Sequence, residues 1–238
     1  MSLHRTALVT GASSGIGEHI SRELVKRGYR VIGVARREEK LKALQAELGS
    51  SFTYIVKDLA EEDSPSLIAK LVVENFPQLD VLVNNAGFAV FKPVVEHTLR
   101  EVEEVFLVNA VRPIQLVIAL REVLRPGATV VNIITPAAFA LSPRLATYSS
   151  SKAALHVLSL ALEKELEQAG VRVVRVYPGP TASEFFTRAG VRTPRHALKP
   201  EKVAERVVDC IEHGCKEVFI PRVLGVLGFF SPINVYRV

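Results

Sequence analysis

A tyrosine and a lysine stand four residues apart in Thr147-Tyr148-Ser-Ser-Ser-Lys152, within a stretch that reads as helix. That spacing puts both side chains on one helical face. A phenol titrates near pH ~10 in model peptides and is scarcely ionised at neutral pH. A neighbouring ammonium favours the phenolate, so the pair can act as general base on an alcohol or general acid on a carbonyl. Taken alone, Tyr-x3-Lys is more often an ordinary pair on a helix surface. Its surroundings decide.

Near the other end, Thr10-Gly-Ala-Ser-Ser-Gly-Ile-Gly17 follows an apolar run and opens a helical one. Glycines at 11, 15 and 17 permit a tight turn and close backbone approach to a pyrophosphate. That group then sits on the unpaired N–H donors of the helix that follows, with Ser13, Ser14 and Ile16 completing the turn. The spacing is G-x3-G-x-G rather than G-x-G-x-x-G. The second apolar run ends Val31-Ile-Gly-Val-Ala-Arg36-Arg37, with no acid before Glu38. An acid there would bond the ribose 2′-hydroxyl of NAD and repel a 2′-phosphate. Arg36 offers a planar cationic fork suited to phosphate, with Arg37 in support. The other reading of Arg36 is a solvated residue at a helix start. The expected cofactor is NADP(H).

Elements to position these groups are legible. Strands are expected at 7–9, 31–34, 52–56, 81–83, 129–134 and 171–176, with a weaker seventh at 218–220. Their nearly continuous Val/Ile/Leu runs mean burial on both faces, as parallel strands have. Helices are expected at 37–48 with Gly49 as stop, and from Asp63-Ser64-Pro65, a cap with proline in the first turn. A long helix or helix pair is expected at 98–124, ending before Pro126-Gly127. A second long helix is expected at 147–169, with Leu155, Leu158, Leu162 and Leu166 at helical spacing. Strand and helix alternating in this way form a single α/β domain over residues 1–238. It is a doubly wound Rossmann parallel sheet of about seven strands with helices on both faces.

With the turn, Asn84-Asn85-Ala86-Gly87, Asn109, the Tyr148/Lys152 pair and Pro178-Gly179 in this order and context, the chain resembles the short-chain dehydrogenase/reductase family over nearly its whole length. The resemblance implies that Tyr148 is the acid/base and that Lys152 lowers its pKa and holds the nicotinamide ribose. Asn109 would anchor a relay water. Asp58, with Leu59 beside it, would cap the adenine. Asn84, Asn85, Ala86 and Gly87 would line the middle of the cofactor, and Pro178, Gly179 and Thr181 would flank the nicotinamide. Family members commonly assemble through the two long helices, which implies a homodimer or homotetramer.

Two positions depart from the family pattern. Its substrate-orienting serine falls at Thr135, whose hydroxyl can still donate but whose β-branching restricts χ1; Ser142 is the alternative. Its carboxamide-contacting threonine falls at Ser183. The stretch 180–198, the tail 222–238 and Phe88, Phe91, Phe139, Leu141, Phe185 and Phe186 are expected to wall an apolar substrate pocket. The expected function is NADP(H)-dependent hydride transfer at a carbonyl or secondary alcohol of a small apolar substrate. The alternative, prompted by Thr135 and the apolar tail, is an NADPH-binding sensor or scaffold with weak or no turnover.

Composition narrows the classes further. At 238 residues, 48% hydrophobic and 23% charged, the chain can bury a real core, which argues against disorder. The net charge of +5 is dispersed, without the basic run of a nucleic-acid tail. Cys210 and Cys215 read as reduced, incidental thiols of a cytoplasmic protein. No Cys/His spacing suits a metal. The six histidines lack partnered motifs, and Glu101-Val-Glu-Glu104 reads as a solvated charge cluster. The start leaves no room for a signal peptide before the first strand. The apolar run at 223–230 reads as a pocket cover or subunit interface, or else as a surface touching lipid.

Overall fold

The β-branched runs become strands, most of them buried on both faces. The computed structural model describes residues 5–140 and 143–225; Leu141, Ser142, His4 and the tail from 226 onward lie outside the described residues. The strands are β1 (Thr6–Thr10), β2 (Arg30–Ala35), β3 (Phe52–Val56), β4 (Leu79–Asn84), β5 (Leu124–Ile133), β6 (Arg172–Pro178) and β7 (Glu217–Ile220). All pair in parallel, in the order β3-β2-β1-β4-β5-β6-β7. The order changes direction between β1 and β4. There a doubly wound sheet opens a crevice beyond its carboxyl ends.

Helices cover both faces. They are α1 (Gly15–Lys26), α2 (Glu38–Leu48), α3 (Ser64–Asn75), α4 (Leu99–Phe106), α5 (Arg112–Leu120), α6 (Ala146–Glu167), α7 (Glu184–Arg188) and α8 (Pro200–His213). Alternation along each strand divides the core. Ala7 and Val9 pack with α1, α2 and α8, whereas Leu8 packs with α3, α5 and α6. On α6, Leu155 and Leu162 are buried, Leu166 packs against the core, and Leu158 is exposed.

Four details refine or correct the sequence reading. Of the long helix or helix pair expected at 98–124, the pair is found: a π turn, Leu107–Val111, separates α4 from α5 and carries Asn109. Such a bulge is a common device at functional sites. β5 starts at Leu124, earlier than expected. It pairs Leu79↔Leu124 and then, after a register shift, Val81↔Thr129. The irregularity admits Pro126, which has no N–H to give, and Gly127 at φ +91. Asp63 precedes α3, but its carboxylate accepts from Lys57 at 2.8 Å and does not cap the helix.

The fourth concerns the cysteines, which are joined as a disulfide. Gly214, at φ +79, ends α8 by folding the chain back. The N–H groups of Gly214 and Cys215 both donate to the Cys210 carbonyl, at 3.1 and 3.3 Å. That turn sets the two Cα atoms 5.1 Å apart, within bridging range. Among the described residues, no helix is long and apolar enough to cross a membrane.

Candidate active site

The crevice at the carboxyl ends of the strands is a cavity of about 970 Å³. Its floor is the turn between β1 and α1, where Gly11 and Gly15 take φ of +70 and +58, conformations that favour glycine. The neighbouring strand staples this turn in place. Thr10 Oγ1 accepts from the N–H groups of Asn85 and Ala86 at 3.0 and 3.1 Å, and Asn85 Nδ2 donates to the Thr10 carbonyl at 2.9 Å. Gly11, Ser13, Ser14, Gly15 and Ile16 all line the cavity. Gly17 does not. A Cβ there would lie 2.3 Å from Asn85 Nδ2 and 2.5 Å from the Gly11 carbonyl oxygen, so this glycine lets α1 pack against the turn.

Asn85, Ala86 and Gly87 also line the cavity, but Asn84 does not. Strand alternation turns Asn84 inward, where its amide donates to Asn132 Oδ1 at 2.9 Å and to the Pro113 carbonyl at 3.4 Å. Asp58 and Leu59 form part of the cavity wall. Arg112, which the sequence reading passed over, holds that wall from behind. Its buried guanidinium donates to the carbonyls of Leu59 and Glu61, both at 2.7 Å. More than fifty residues separate these groups, and no local motif announces the contact.

The two arginines after β2 part company. The side chain of Arg36 is 63% exposed and donates to Asp58 at 3.1 Å. Arg37 turns toward the glycine turn, donating to Ser13 Oγ at 3.3 Å and to its carbonyl at 3.2 Å, and pairs with Glu184 at 2.6 Å. Its fork is engaged by Ser13 and Glu184, and Arg37 also lines the cavity.

At the opposite end stand Tyr148 and Lys152, on the first turns of α6, with Thr135 two residues past β5. Burial pushes the phenol well above its ordinary value, and the Thr135 hydroxyl pulls it back. Burial alone pushes Lys152 down to about 8. The Lys152 ammonium donates to the Ile133 carbonyl at 2.8 Å. Asn109 is buried one layer behind the cavity. Its amide donates to the Phe88 carbonyl at 2.9 Å and Ser151 Oγ at 3.0 Å, and its Oδ1 accepts from the Phe88 N–H. Gly87 stands close to both: a Cβ there would lie 3.0 Å from Asn109 Oδ1 and 3.3 Å from Lys152 Nζ.

Pro178, Gly179, Thr181 and Ser183 complete the wall. The Thr181 hydroxyl donates to the Gly179 carbonyl at 2.9 Å, and Ser183 caps α7 by accepting from the Phe185 N–H at 3.4 Å. Phe88, Phe185, Phe186, Leu145 and Leu224 supply apolar surface. Two expected wall residues lie elsewhere. Phe91 stacks under Arg144, and Phe139 packs against His156 and Tyr177. The charged cluster also divides. Glu101 caps α4 with Thr98 and pairs with Lys92, whereas Glu104 reaches the cavity rim with Arg100. Among the described residues, no group of acids, histidines or cysteines could hold a metal.

A doubly wound sheet with a glycine turn at its switch point and a Tyr/Lys pair facing the same cavity defines a nucleotide-binding oxidoreductase. Residues 5–192 match the family model of the short chain dehydrogenases. The chain is 36% identical over 184 residues to serine 3-dehydrogenase of Agrobacterium fabrum, covering 76% of this chain and 73% of that protein. Its fold matches a short-chain dehydrogenase from Sphingobium yanoikuyae in complex with NADPH, at TM-score 0.85 and 28% identity, over 91% and 88% of the two chains. A short-chain dehydrogenase/reductase from Burkholderia phymatum in complex with NAD shares the fold at TM-score 0.85 and 20% identity, over 94% and 92%. The chain belongs to the short-chain dehydrogenase/reductase family.

Proposed function

We propose that this chain is an NADP(H)-dependent reductase of a small, apolar carbonyl compound, working as one dinucleotide-binding unit whose 180–198 segment shapes the substrate side. The observation that carries this reading is that two hydroxyls, Thr135 and Tyr148, line the same cavity as the glycine turn. A dinucleotide suits what is present. Gly11 and Gly15 take positive φ in a turn that lines the cavity and leads into α1, and an exposed guanidinium, Arg36, lines the same cavity. Gly11, Ser13, Ser14, Gly15, Ile16, Asp58, Leu59, Asn85, Ala86 and Gly87 would hold its adenosine and phosphate half, with Arg36 toward a 2′-phosphate. Pro178, Gly179, Thr181, Ser183 and Lys152 would hold the other half. When bound, the nicotinamide supplies or accepts the hydride.

The chain's own residues handle position and protons. Thr135 and Tyr148 both direct hydroxyls to a carbonyl oxygen, and the phenol, kept neutral by its surroundings, gives up its proton as that oxygen gains charge. A neutral phenol favours reduction at neutral pH. Lys152 fixes the end of β5 through Ile133. Asn109 is a positioning residue: its side chain is fully engaged in holding the Phe88 backbone and α6.

The apolar wall favours an apolar ketone or aldehyde over an amino acid such as that named for the Agrobacterium relative. The hydroxyl retained at Thr135 speaks against the sensor reading. Exposed apolar side chains at Val111, Ile118, Val157 and Leu158 suit a homo-oligomer formed through α5 and α6. The test is NADPH consumption with a panel of ketones and aldehydes, beside L-serine with NADP⁺. Turnover of apolar carbonyls is expected. Serine oxidation alone would overturn the substrate class, and equal use of NADH the cofactor preference.

A further inference from the structure

Helix α7 has five residues, none of them fully buried, and is too short to be stable by its own backbone bonds. Yet it carries Phe185 and Phe186, which line the cavity, and the Phe185 ring centroid lies 5.3 Å from that of Tyr148. What fastens it is the first residue of the helix. The Glu184 carboxylate accepts from Arg37 at 2.6 Å and Lys40 at 2.7 Å, both from around the start of α2, and from Arg188 at 2.6 Å within α7. Those cations hold the carboxyl down at about 2, Lys40 foremost, so it stays charged through any working pH. Arg37 extends the connection to Ser13 in the glycine turn. Next to Glu184, the Ser183 Cβ lies 2.9 Å from where a Cβ on Gly15 would stand, so α7 rests directly on that turn.

We propose that Glu184 is a positioning residue that clasps α7 to Arg37 and Lys40, and so sets Phe185 and Phe186 against the substrate side of the cavity. The clasp divides the labour of two adjacent arginines. Arg36, exposed at the cavity rim, is left to meet an anionic cofactor, while Arg37 serves substrate placement. This rests on the proposed reading of the cavity as a dinucleotide and substrate site. Partly exposed ion pairs are individually weak, and three cations on one carboxylate act as a network that salt should loosen.

Glu184→Gln in the full chain keeps shape and helix cap while removing the charge. Hydrogen–deuterium exchange of the apoprotein over residues 185–191 should quicken about fivefold or more, since local opening governs exchange there. Arg37→Ala should do the same, and the double variant should add little. In about 1 M salt, where the screening length falls to ~3 Å, the native chain should approach the variants. With acetophenone as probe ketone, KM should rise about three- to tenfold, the scale of a weak ion network, with kcat less affected. NADPH affinity, read from cofactor fluorescence, should stay within about twofold of the native chain for a network that spares the cofactor. Unchanged exchange in Glu184→Gln would overturn the clasp. Loss of NADPH affinity in Arg37→Ala, equal to that in Arg36→Ala, would overturn the division of labour. If the native chain bound no NADPH, the cofactor reading alone would fall, and the exchange comparison would still decide the clasp.

Discussion

Thr135, two residues past the end of β5, and Tyr148, on the first turn of α6, line the same cavity. The Ala137 N–H already donates to Thr135 Oγ1 at 3.3 Å, so the threonine proton is free to be given to a substrate oxygen. The Thr135 hydroxyl also partly offsets the effect of burial on the phenol. Thr135→Ser should therefore keep most activity, whereas Thr135→Val, which keeps shape and loses the donor, should lower kcat about 10²-fold. Steady-state kinetics on both variants checks this, and an active Thr135→Val enzyme would sink the role.

Replacing Tyr148 by Phe should lower turnover by about 10²–10⁴-fold while NADPH binding stays largely intact. The pH dependence follows from the sign of the shift. Burial raises the phenol above its ordinary value, so it stays protonated and able to donate across the neutral range. Carbonyl reduction should be flat there and fall only in strong alkali. Alcohol oxidation, which needs the phenolate, should climb with pH. A reduction rate that falls through pH 7 would contradict the assignment.

Lys152 gives a stability prediction of the opposite kind to its catalytic one. Its folded value is about 8, below the ordinary lysine value of 10.5. Below pH 8 both folded and unfolded chains carry the proton, and the full burial penalty applies. Between 8 and 10.5 the native chain has released its proton while the unfolded chain keeps it, so this group's contribution to stability rises with pH. Lys152→Met should thus stabilise the apoprotein at pH 7, by at most about 3 kcal/mol for a fall of that size. The gain should shrink toward pH 10 while activity is lost. Urea melts at the two pH values would show it, and a variant less stable at pH 7 would refute it.

Arg36→Ser removes the exposed cation at the adenosine end. NADPH affinity should fall about tenfold or more, as expected when a charge-assisted bond to phosphate is lost, with NADH affinity little altered. Equal loss for both cofactors would mean that Arg36 meets no 2′-phosphate.

Gly17→Ala tests packing and leaves the chemistry aside. The added methyl would meet Asn85 Nδ2 at 2.3 Å and the Gly11 carbonyl oxygen at 2.5 Å. A destabilisation of about 1–3 kcal/mol is expected from overpacking of this kind. A melting temperature equal to that of the native chain would show that the turn can yield.

Local pattern carried most of the fold. Runs such as Val31–Val34 and Val171–Val176 cannot be solvated on either face, so a buried parallel sheet was their only outlet, and Gly49 and Gly170 end their helices as read. The glycine turn and Tyr148/Lys152 were equally legible, because each is a short-range spacing that fixes its own geometry. Only the tertiary structure decided what depends on direction and on distant partners. It turned Asn84 inward to Asn132, drew Arg37 to Glu184, aimed Lys152 at Ile133 and folded Cys215 back onto Cys210. Sequence states which groups are available and on which face. Which of two neighbouring arginines meets solvent is settled by what long-range packing places beside each, and no one-dimensional pattern encodes that.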